Sequence, residues 1–251
     1  MITRQPTRKM DRAAIKSPLW SIMRVAPCVL VCAVILASAS GEVLHYSIEW
    51  PSGLSLGEAT LRSDRATGSA TTAAWEFDLN VDASVPAFAI RDQYHSTASF
   101  DFCSLKLDKK TSRGARKNEE RVTFNPSDTK AVREVVKGDR TGGRSEVSVP
   151  SCARDALTLL QFVRKELAAG RQPPQQPAIL GASYNVRLEY LGNTPLTLGN
   201  QHVDADRFRT SIKGPGSDLT VELYFARDTV RTPVMMKIPV SLATFTVELI
   251  P

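Results

Sequence analysis

One stretch of the sequence matches a nucleophile motif: Gly53-Leu54-Ser55-Leu56-Gly57. In hydrolases a G-x-S-x-G stretch holds serine on a tight turn between a strand and a helix, where a histidine activates the hydroxyl. The next residues here, Glu58-Ala59-Thr60-Leu61-Arg62, read as strand rather than helix. A hairpin turn entering a strand accounts for the same residues and is the preferred reading, with a serine hydrolase using Ser55 as the lesser alternative. The three histidines, His45, His95 and His202, lie far apart in the chain, with no pair at metal-ligand spacing. They read as surface or hydrogen-bonded histidines. Gly214-Pro215-Gly216 neither opens a helix nor precedes a Lys-Ser pair, so it does not cradle phosphate. These residues assign no catalytic group, no metal and no cofactor, and they lean the chain away from enzymes.

Basic side chains crowd one stretch: Lys109, Lys110, Arg113, Arg116, Lys117 and Arg121, against Glu119 and Glu120. The preferred reading is a solvated hairpin tip around Gly114. The alternative is a contact to anionic lipid headgroups or another envelope polyanion. No aromatic residues interleave these cations, which argues against single-stranded nucleic acid. The whole-chain charge of +6 does not support nucleic acid either. Residues 1–39 supply most of it, and without them the chain is close to neutral, at +1.

That N-terminal stretch has the parts of a secretory signal over 1–40. Basic residues end at Arg24, an uncharged run extends from Val25 to Ala39, and it closes on Ala37-Ser38-Ala39. Cleavage after Ala39, or one residue on, is expected. An uncleaved anchor is the rival reading, and the run of 15 residues is short against the roughly 20 that span a bilayer. Pro27 before Cys28 and Val31 before Cys32 make poor lipidation signals. Removal of the leader leaves Cys103 and Cys152, which in an oxidising compartment are expected to pair across a loop of about 50 residues. Two separate buried thiols are the alternative.

The remainder, 41–251, must position these groups. With 42% hydrophobic and 23% charged residues the chain is neither collagen-like nor disordered. Alternation with period two recurs: Leu44, Tyr46, Ile48, Trp50; Trp75, Phe77, Leu79, Val81; Tyr184, Val186, Leu188, Tyr190; Leu219, Val221, Leu223, Phe225; Ala243, Phe245, Val247, Leu249. Such strands have one buried and one wet face, which means antiparallel sheet. Turn signals separate them, at Gly53, Gly68, Asn125-Pro126, Gly138-Asp139, Gly142-Gly143, Gly192-Asn193, Gly199-Asn200 and Gly214. Residues 153–169 instead show helical spacing, with Ser151 as expected N-cap, Asp155 in the first turn and Gly170 as the stop. A Pro/Gln-rich connector, 170–181, comes next and is read as extended. The fold class is mainly β: an antiparallel curved sheet or incomplete barrel with one packed α-helix, in a single exported domain.

The order of segments resembles a bacterial exported family catalogued as domain of unknown function 3108. The resemblance rests on Gly41 to Trp50, Gly53 to Leu61, Ile90-Arg91-Asp92-Gln93-Tyr94, Asp155-Ala156-Leu157 with Phe162-Val163-Arg164, Arg231-Thr232-Pro233-Val234, and Ile238-Pro239-Val240 through Leu249. It departs at the Pro/Gln-rich connector and at Thr194-Pro195-Leu196-Thr197. The resemblance implies an exported β protein and no established activity. Arg91 and Asp92 are its best polar features, read first as a structural salt bridge and second as a ligand contact. The expected function is a periplasmic or envelope protein, anchored to the membrane if the leader is retained. Its expected role is to bind an apolar ligand such as a lipid, or to assist envelope assembly. A structural or protein-interaction module with a filled core is the alternative.

Overall fold

A computed structural model describes residues 41–67, 73–85, 88–137, 142–216, 218–240 and 243–251. The leader 1–40 and the turn signals Gly68 and Gly138-Asp139 lie outside the described residues.

The alternating segments form strands of one antiparallel sheet. The first meander is β1 (Glu42–Glu49), β2 (Ser55–Arg65), β3 (Trp75–Val85), β4 (Phe88–Ala98), β5 (Ser104–Arg113), β6 (Arg116–Asn125), β7 (Lys130–Lys137) and β8 (Arg144–Ser148). After the helix α1 (Ala156–Ala168) come β9 (Gln176–Ile179), β10 (Ser183–Leu198), β11 (Gln201–Lys213), β12 (Asp218–Ala226), β13 (Pro233–Val240) and β14 (Ala243–Leu249). Every strand pairs with its chain neighbour on the same side of α1, and β14 returns to β1, with Tyr46 opposite Leu249 and Ile48 opposite Val247. The 14-stranded order therefore leaves β8 and β9 as its two edges, and the sheet does not close by strand pairing.

The segment between those edges covers the gap. Ser104 N–H donates to the Ala153 carbonyl at 2.9 Å, and Ile179 N–H donates to the Arg154 carbonyl at 2.8 Å. One stretch of chain is thus bonded both to the start of β5 and to the end of β9. Leu107, Val122, Phe124 and Ala131 pack with Val149, Ala153 and Ile179 beneath it.

The helix lies inside the curl. Leu159, Val163 and Leu167 pack on Ala178, Val186, Leu188, Phe208 and Phe225. Leu157 and Leu160 pack on the opposite wall with Tyr46, Leu61 and Phe77. Arg164, only 5% exposed, forks onto Glu42 with contacts of 2.5 and 2.7 Å and donates to the carbonyls of Val230 and Arg231. No helix among the described residues is long and apolar enough to cross a membrane.

One sequence expectation is corrected. The helix starts at Ala156, and its N-cap is Asp155 rather than Ser151, because the Asp155 carboxylate accepts from the N–H groups of Leu157 and Thr158. Within the extended connector, Gln176–Ile179 forms edge strand β9. Gly170, with φ +71°, ends the helix as expected.

Candidate functional site

Inside the curl lies an apolar cavity of about 380 Å³. Its walls come from seven neighbouring strands, β4 to β1 and β14 to β12, and its floor is Leu157 and Leu160 of α1. Leu56, Ala83, Ile90, Ile238 and Phe245 line it near the β1–β2, β3–β4 and β13–β14 turns, so its mouth faces those turns and the helix closes the other end. Ile48, Met236, Ile238, Phe245 and Val247 are half-exposed although they are the inward set of their strands. In a filled barrel such positions are buried. The two hydroxyls at the wall are already bonded. Tyr46 donates to the Pro233 carbonyl at 2.8 Å, and Tyr224 donates to Glu222 at 2.7 Å. Burial raises both phenol pKa values, that of Tyr224 to about 12 with help from the Glu222 carboxylate, so both remain donors.

One strand beyond the cavity the inward face turns polar. Cross-strand partners share a face. Ile90 and Val81 line the cavity, and their ladder partners are Arg113 and Asp92. Asp92 is 4% exposed; its Oδ2 accepts from Arg113 at 2.8 Å and from the Tyr94 hydroxyl at 3.2 Å. Glu120, 8% exposed, accepts from Asn118 at 2.7 Å, from Lys109 at 3.3 Å and from both sides of the Arg133 fork.

The structure separates several of the residues that the sequence groups together. Arg91 and Asp92, read together as one ion pair, belong to two. Adjacent strand residues point to opposite faces, so Arg91 meets Asp82 outside at 3.4 Å while Asp92 meets Arg113 inside. The six cations of 109–121 do occupy a hairpin, β5–β6, but they are not one patch. Lys109, Arg113 and Arg116 share the inward face with Leu107 and Val122; Lys110, Lys117 and Arg121 are on the outer face. Cys103 and Cys152 form a disulfide with their Cα atoms 4.8 Å apart.

Ser55 is not on a nucleophile elbow, because it opens β2 of an antiparallel hairpin and is exposed. Both glycines of the motif have backbone roles. Gly53 has φ +80° in the turn, and a Cβ on Gly57 would come 2.1 Å from the Asp82 carbonyl oxygen. His45 meets Thr60, His95 meets Asp78 and His202 meets Thr197, each apart from the others. No cluster of three or more metal-ligating side chains occurs among the described residues.

The family model described as Protein of unknown function (DUF3108) matches residues 45–250. The chain belongs to this family. No curated protein matches it. Among solved structures it is similar to one titled "Crystal Structure of Beta-barrel-like Protein of Domain of Unknown Function DUF1849 from Brucella abortus", with a TM-score of 0.57 and 6% identity. That match covers 84% of this chain and 95% of the other. Identity so low carries the fold alone: both are curled β sheets of barrel-like form.

Sequence reasoning about this DUF3108 chain missed Tyr94, Asn118, Glu120 and Arg133. A signal existed for Asn118 and Glu120. Segment 107–122 lacks hydrophobic alternation in its outer half yet lies between strands, which marks a hairpin polar on both faces. The Arg133 fork, backed by Lys109 and Asn118, holds the Glu120 carboxyl down at about 2, against the burial that opposes it. The folded state therefore binds this proton less readily than the unfolded chain. Glu120 stabilises the fold fully above the ordinary carboxylate range, by at most about 3 kcal/mol, and that contribution fades as pH falls from about 5 towards 2. Urea midpoints measured across this range should fall more steeply for the wild type than for Glu120→Gln. Parallel acid limbs would refute the assignment.

Proposed function

We propose that this chain is an exported, non-enzymatic binding protein that holds an apolar ligand, such as a lipid tail, inside the curl of its sheet. The cavity carries this reading. Its volume of about 380 Å³ is more than twice the roughly 150 Å³ of an engineered apolar cavity that binds benzene. A module with a filled core leaves no such space. Each methylene moved from water into the cavity contributes about 0.8 kcal/mol, so a chain of roughly ten carbons gains about 8 kcal/mol before the cost of immobilisation. Export is supported by the leader pattern in 1–40 and by the disulfide, a bond that persists in oxidising compartments.

The test is native mass spectrometry of the processed protein, purified without detergent after expression of the full-length chain in a Gram-negative host. The expected species begins at Ser40 or Gly41 and carries one apolar small molecule, or takes up one added long-chain alcohol per chain. A retained leader would turn the soluble carrier into an anchored one. Absence of both adduct and uptake would remove the binding reading.

A further inference from the structure

The charged strip beside the cavity deepens that reading, and a head-group site there rests on it, because the site presupposes a bound apolar chain. Charges along the β5–β6 ladder are mostly matched across the strands: Lys109 faces Glu120, Lys110 faces Glu119 and Asp108 faces Arg121. The pair that closes the hairpin breaks the pattern, since Arg113 faces Arg116. Like charges directly opposite on a ladder destabilise it. Local rules are broken most often where a site needs them broken. Ile90 of the cavity wall is the ladder partner of Arg113, so this unmatched pair begins one strand away, about 4.8 Å, from apolar lining.

The local charge does not cancel. Arg113 gives Nη2 to Asp92 beside the Tyr94 hydroxyl, while its side chain stays 59% exposed. Arg116 is exposed and has no ion pair among the described residues. Lys109 and Arg133 are taken up by Glu120. Arg113 and Arg116 thus stand against the one carboxylate of Asp92, as Lys109 and Arg133 stand against that of Glu120, so the strip is net positive and can take an anion. Asp92 is a positioning residue: buried, with Oδ1 unpartnered and Oδ2 on the fork, it holds one edge of Arg113 and leaves the rest for a ligand. Planar carboxylate suits such a fork.

We propose that the ligand is a single-chain amphiphile with an anionic head, its tail in the apolar cavity and its carboxylate on Arg113 and Arg116.

Dodecanoate, 1-dodecanol and acetate are titrated into the processed protein by calorimetry, with Arg113→Gln/Arg116→Gln and the single Arg116→Gln as variants. Wild type is expected to bind dodecanoate about 10-fold tighter than dodecanol, the effect of a charge-assisted hydrogen bond. Acetate is expected to bind far more weakly than either. The double variant should lose the preference for dodecanoate, and the exposed Arg116→Gln, which leaves the Asp92 contact intact, should reduce it. Equal affinity for the two chains, or a preference surviving in both variants, overturns the head-group site while the cavity reading stands. Acetate binding as tightly as dodecanoate overturns it in favour of a free-anion site. Failure of both chains to bind overturns the cavity reading, and the head-group site falls with it.

Discussion

Asp155→Ala should destabilise the folded chain by about 3–5 kcal/mol. The side chain is fully buried and accepts four hydrogen bonds. Oδ1 takes the N–H groups of Leu157 at 2.8 Å and Thr158 at 3.1 Å, so it caps α1. Oδ2 takes the hydroxyls of Ser96 at 2.6 Å and Ser104 at 2.8 Å, so it fastens the helix start to β4 and β5. No ion pair to a basic side chain is formed by Asp155 among the described residues; the aligned N–H groups of the helix end supply the positive field instead. Loss of a cap alone costs about 1 kcal/mol, and each buried donor left unpaired adds about 1–3 kcal/mol where it cannot find water. Asp155→Asn keeps the capping oxygen, and the serine hydroxyls can rotate to accept from its amide, so its expected cost is about half as large. Ser151→Ala removes an exposed hydroxyl at the cap position expected from sequence and should change the urea midpoint little. Equal losses at 151 and 155 would show that the tie to β4 and β5 is not what the carboxylate contributes.

The helix is legible from its 3.6-residue spacing, but its start is not. Ser151 and Asp155 are both good caps by residue type, and only the three-dimensional arrival of Ser96 and Ser104 selects Asp155. Strand β9 is hidden for a related reason. Pro177 looks like a break, but β9 is an edge, where the missing N–H leaves no ladder bond unmade. Alternation reveals β1, β3, β10, β12 and β14, whose inward positions are apolar. It cannot reveal the outer half of β5–β6, whose inward positions are Lys109, Thr111 and Arg113. The polar inward positions that hide which face of this hairpin is inside are the ones that give the cavity its charged border. The cavity itself has no sequence signature. It depends on how far the sheet curls and on which inward side chains stop short of meeting, and residue types alone specify neither.

Removal of the Cys103–Cys152 bond, by reductant or by Cys103→Ser/Cys152→Ser, should cost roughly 4 kcal/mol in the chain-entropy model. The bridge closes a loop with a sequence separation of 49, and that length sets the magnitude. Its position matters as much. Cys103 ends the turn between β4 and β5, and Cys152 precedes Ala153 and Arg154, whose carbonyls bond to β5 and β9. The sheet has no strand pairing across its seam, so this short segment, which runs on from β8 and bonds to β5 and β9, ties its two sides together, and the disulfide fixes one end of it. Urea unfolding of the oxidised and reduced forms gives the difference directly. A loss under about 1 kcal/mol would mean that the backbone bonds and the Val149–Ile179 packing hold the seam unaided. A loss near 4 kcal/mol is a large share of a typical 5–15 kcal/mol of net stability. The reduced chain would then open first along the seam, where α1 enters the curl and the cavity floor begins at Leu157.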